Sequence, residues 1–99
     1  MAQINNTMKP PQLDSTNYPY WKSKMTTHIK LINRKVWKVV ETKIEIGDTE
    51  NPIAAEEVLL QNIDIALSAI HDAIDERTFE QIKNIEMAHE AWKKLEESF

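Results

Sequence analysis

The 99 residues include no cysteine, which excludes disulfides, thiol nucleophiles and zinc sites built on thiolates. Glycine occurs once, at Gly47, and proline four times. An all-β domain needs a turn signal every few residues, so this scarcity argues against one. No uninterrupted apolar run approaches the roughly 20 residues that span a bilayer. The start of the chain, Met1-Ala2-Gln3-Ile4-Asn5-Asn6-Thr7, has no basic region followed by an apolar stretch and does not read as a secretory signal. The expectation is a soluble, cytoplasmic chain. A phosphate-cradling Gly-rich loop and a nucleophile elbow are missing as well.

What is present is ordinary globular material: 41% hydrophobic and 28% charged residues in a length suited to one core. The apolar residues recur at helical spacing. Trp21, Met25, Ile29 and Ile32 form one stripe, with Pro19 placed for the first helical turn, Asn17 or Thr16 as its cap and Asn33 as its stop. Val36, Trp37 and Val40 mark a short second helix. Thr42 to Asn51 reads as the longest loop, in which Lys43-Ile44-Glu45-Ile46 alternates briefly like a lone extended stretch. Asn51-Pro52 then restarts a helix whose face is Leu59, Ile63, Ala66, Ile70 and Ile74. Asp75 is suited to cap a short helix carrying Phe79 and Ile82. A last helix, beginning between Glu86 and Ala88, buries Ala88, Ala91, Trp92, Leu95 and Phe99.

The expected fold is therefore all-α, a compact bundle of about five helices over residues 13–99, with residues 1–12 as a flexible lead and Leu13 docking where the domain begins. Trp21, Trp37 and Trp92 are its anchors, since a large aromatic buries more apolar surface than any aliphatic residue. With them in the core stand Met25, Ile29, Leu59, Ile63, Ile70, Phe79, Ile82 and Leu95.

Sites for chemistry are not legible. His28, His71 and His89 are dispersed, and His71-Asp72 and His89-Glu90 are adjacent pairs that point apart on a helix. Asp72, Asp75, Glu76 and Glu80 lack the spacing and turn glycine of a calcium loop. No metal, cofactor or small-molecule substrate is expected. Tyr18, Tyr20 and Trp21 beside Lys22 and Lys24 would suit base stacking, but the helical stripe already accounts for Trp21 as core. Charge is more informative. Residues 1–43 carry +6 and residues 44–99 carry −10, summing to the net −4. Such halves face each other within one fold, are merely solvated, or meet between molecules.

Several phrases, taken together and in order, resemble one family. They are Leu13, Asn17-Tyr18 and Trp21 with Met25; Trp37 with Val40; Asp64, Ala66 and Ile70; Ile82; and Ala88, Glu90-Ala91-Trp92, Leu95 and Phe99. The chain is similar over these residues to the N-terminal part of the Gag (capsid) polyprotein of copia-type long-terminal-repeat retrotransposons, abundant in plants and often domesticated there. Ser15 stands where members usually have glycine, and Val58-Leu59-Leu60 where they have tryptophan.

The resemblance implies a helical, non-enzymatic domain like a retroviral capsid N-terminal domain, built to assemble. The leading expectation is a structural module acting by homotypic contacts, a weak homo-oligomer that the full-length protein extends into a head-to-tail lattice. A domesticated adapter binding a host protein comes second, and RNA binding third. The residues expected at the self-association surface are Lys22, Lys24, Lys30, Arg34, Lys35 and Lys38 on the first two helices, opposite Glu86, Glu90, Glu96 and Glu97 on the last.

Overall fold

The computed structural model describes residues 10–99. Five helices follow one another: α1 Tyr18–Ile32, α2 Arg34–Glu41, α3 Ala54–Asp72, α4 Glu76–Ile82 and α5 Ala88–Ser98. No helix among the described residues is long and apolar enough to cross a membrane. α2 is the hub, packing on α1, α3 and α5.

Local chemistry explains most boundaries. Asn33 ends α1 in extended conformation and at once caps α2, its side-chain oxygen accepting from the Lys35 N–H at 2.7 Å. One residue thus turns the chain between two helices. Asp75 caps α4 by accepting from the Thr78 N–H at 2.8 Å. At α1, Pro19 lies in the first turn as expected, but Asn17 makes no side-chain cap. Its amide instead accepts from the Asp14 N–H and donates to the Gln12 carbonyl, folding the preceding loop onto itself. α3 begins at Ala54, two residues beyond Pro52. Its donors are met from inside the helix: Glu56 accepts from Ile53 N–H with one carboxylate oxygen and from Gly47 N–H with the other. Lys43-Ile44-Glu45-Ile46 forms no strand. Ile44 packs partly buried against the core instead.

Trp21, Met25, Ile29, Ile63, Ile70, Ile82, Trp92 and Leu95 are buried as the stripes predict. Trp37, Leu59 and Phe79 are only half-buried at the core's edge. For Trp37 the reason is helical phase. Val36, Val39 and Val40 occupy the inward face of α2, and Trp37 stands about 100° away from Val36, at the rim. Ile32 and Phe99, the last members of their stripes, are 41% and 39% exposed, Ile32 at the rim of a groove between α1 and α3. Phe99 still stacks on Tyr18 with ring centroids 5.7 Å apart.

Of the expected lead, residues 1–9 lie outside the described residues. Gln12 is tied down, its amide donating to the Ile74 carbonyl at 3.0 Å. Leu13 is fully buried, and its N–H donates to the Ala73 carbonyl at 2.8 Å in a parallel bridge with Ile74. The same carbonyl accepts the Trp21 indole N–H at 3.0 Å. One backbone oxygen at the end of α3 therefore fastens both the domain's start and its first tryptophan.

Candidate functional site

The ten charged residues expected at a contact surface do not all stay available. Trp21 of α1 stacks on Trp92 of α5, ring centroids 5.6 Å apart. The next residue, Lys22, thereby lies beside Glu96, one turn beyond Trp92. Their charges meet at 2.7 Å within one molecule, and Lys93 approaches Glu96 at 3.6 Å. The hydrogen bond from Lys22 holds the Glu96 carboxyl below its ordinary range, and Glu96 raises the Lys22 amine. A depressed carboxylate stabilises the fold above its unfolded pKa and loses that contribution as pH falls through the folded one. Lys22 and Glu96 thus serve the fold.

The remaining cations are differently placed. Lys24 lies over the Tyr20 ring at 5.8 Å and Lys30 over Trp37 at 5.6 Å, geometries of cation–π attraction. Arg34, Lys35 and Lys38 are exposed and form no salt bridge among the described residues. Glu86 falls outside α5, in the link before its Met87 cap, because the helix starts only at Ala88. Glu90 and Glu97 of α5 are exposed like it, but they share a shallow groove with Lys43, Lys93 and Lys94. The α5 face is mixed in sign.

Uniform negative charge lies elsewhere. Between Lys43 and Arg77 the chain has nine Asp or Glu and no Lys or Arg. All of α3 falls in that interval, and its outer face exposes Glu57, Asp64 and Asp72. Val58 and Ile65, 54% and 43% exposed, lie on that face seven residues apart. Sequence reasoning missed this surface, although the cation-free interval was its signal. Near the end of α3 the face opens into a groove shared with His28 and Ile32 of α1.

The histidines have structural surroundings. His89 Nδ1 lies 2.8 Å from the Val40 carbonyl. A carbonyl only accepts, so this nitrogen carries the proton and satisfies an orphan acceptor at the end of α2. His71 packs edge-on against Phe79 at 4.9 Å, and its Nε2 is buried without a partner. Burial lowers its pKa, with Asp72 opposing. The unfolded imidazole then binds protons first, so stability is complete above the ordinary pKa of 6.5 and falls as pH drops toward the folded value. Thermal unfolding followed by circular dichroism should show a smaller loss of midpoint from about pH 7 to about pH 5 in His71→Phe than in the parent. Equal losses would remove His71 as a cause.

No group of three His, Cys, Asp or Glu residues able to hold a metal occurs among the described residues. A base-stacking platform is reduced to Tyr20. Trp21 is wholly buried with its N–H bonded, and Tyr18 is half-buried against Phe99. The Tyr18 hydroxyl is buried without a partner, and burial raises its pKa. Fold and surface together define an all-α bundle divided by charge. The chain matches no family model, no curated protein and no solved structure.

Proposed function

We propose that the chain is a structural assembly module working by homotypic contacts, a capsid-like domain of the kind its resemblance to copia-type Gag implies. The observation that carries the reading is the charge division that remains once Lys22 and Glu96 have paired internally. Arg34, Lys35 and Lys38 form an exposed basic surface on α2, and acidic faces lie on other elements. Surfaces of opposite sign on one molecule favour meeting of like molecules. Exposed ion pairs contribute only about 0–1 kcal/mol each, so an isolated domain associates weakly.

Sedimentation velocity at low and high ionic strength tests this. Weak association at low salt should diminish at high salt, where exposed charges are screened beyond a few ångströms, and should diminish again in Lys35→Glu/Lys38→Glu. Association indifferent to both would make the contact apolar and overturn the electrostatic reading.

A further inference from the structure

We infer that the acidic side of the self-contact is the outer face of α3 rather than α5, and that it receives the outer face of α1 from a second copy of the chain. This deepens the homotypic reading and rests on it. On α1 the exposed residues Tyr20, Lys24, Thr27 and Leu31 recur at i, i+4, i+7 and i+11, one stripe. It is partly apolar, with Leu31 58% and Tyr20 57% exposed. Its only charge is positive, and Arg34 and Lys35 lie just beyond its end. On α3, Val58 and Ile65 form the apolar part of a stripe whose charges, Glu57 and Asp64, are negative. The two stripes match in kind and oppose in sign. α5 offers no such surface, because lysines interleave its glutamates.

The α1 stripe borders a groove that the α3 stripe lines, because His28 and Ile32 stand one residue on from Thr27 and Leu31. His28 and Ile32 of α1 meet Asp64, Ile65 and Asp72 of α3 across the same groove. A two-fold axis running along that groove sets each copy's α1 stripe over the other's α3 stripe. Both halves of the contact then set a basic, partly apolar stripe against an acidic, partly apolar one. Turning the axis across the groove would set one basic α1 stripe against the other, and juxtaposed like charges are strongly disfavoured. The contact is therefore isologous, a closed dimer in place of the head-to-tail contact expected from the sequence.

Mixing of charge-reversed proteins tests this. Lys24→Glu/Arg34→Glu makes both stripes acidic, and Glu57→Lys/Asp64→Lys makes both basic. All four positions are exposed, so the helical circular dichroism of each variant should match the parent. Each variant alone should associate at least about tenfold more weakly than wild type in sedimentation equilibrium. An equimolar mixture should recover association to within about threefold, as heterodimers. Val58→Gln/Ile65→Gln, which leaves charge unchanged, should also weaken the dimer. Two results overturn the inference while leaving the homotypic reading intact: reversed variants that still self-associate, or a loss of association on reversing Glu86, Glu90 and Glu97 instead. Wild-type protein that remains monomeric at low salt and high concentration overturns both.

Discussion

Trp92→Ala should lower stability by about 3–5 kcal/mol, the range for truncating a buried large aromatic. In a domain of this size each kcal/mol shifts the thermal midpoint by about 4–8 °C, and total stability is only about 5–15 kcal/mol. The variant should therefore be at least partly unfolded at physiological temperature. Trp92 is 5% exposed and joins three elements at once. Its ring stacks on Trp21 of α1 at 5.6 Å and meets Trp37 of α2 edge-on at 5.5 Å. Stacked and edge-to-face aromatic pairs add about 0.5–1.5 kcal/mol each beyond the area they bury. Alanine removes both pairs and leaves a cavity that three helices would have to move to close. Far-UV circular dichroism in a thermal and a urea series measures the effect. An unchanged midpoint would show that the tryptophan cluster does not hold α5 to the bundle.

Leu13→Ala should cost about 2–5 kcal/mol, although Leu13 belongs to no helix. Its side chain is fully buried, and its N–H shares the Ala73 carbonyl with the Trp21 indole. Truncation empties the core at the point where the start of the domain closes over the α3–α4 junction. Two consequences separate local from global loss. The urea midpoint should fall, and the Trp21 indole proton should exchange with solvent faster than the fall in global stability accounts for, because its acceptor becomes accessible. Retained indole protection with a lower midpoint would mean that Leu13 contributes packing alone.

Helix positions were legible because their causes are local. The Trp21–Met25–Ile29 stripe, the stop at Asn33 and the cap at Asp75 each depend on residues within a turn or two. The readings differ from the structure where a competing side-chain hydrogen bond intervenes. Asn17 is drawn from capping by Gln12 and Asp14, and the start of α3 is set by Glu56 reaching back to Gly47. Size places Trp37 in the core, yet helical phase gives the inward face of α2 to three valines. In the charged surface the division of sign was plain, but the pairing of its parts was not.

A helical chain, five amphipathic segments and a basic front with an acidic remainder follow from the order of the residues alone. Periodicity and composition carry all of these without reference to where any segment ends up. It takes the packed fold to bring Lys22 and Glu96 together across 74 residues, and to bring Leu13 and Trp21 onto one carbonyl at Ala73. That fold alone leaves α3 with an outer face both acidic and apolar. Such facts depend on which helices lie side by side, and that is set by how buried side chains interlock, which no local pattern encodes.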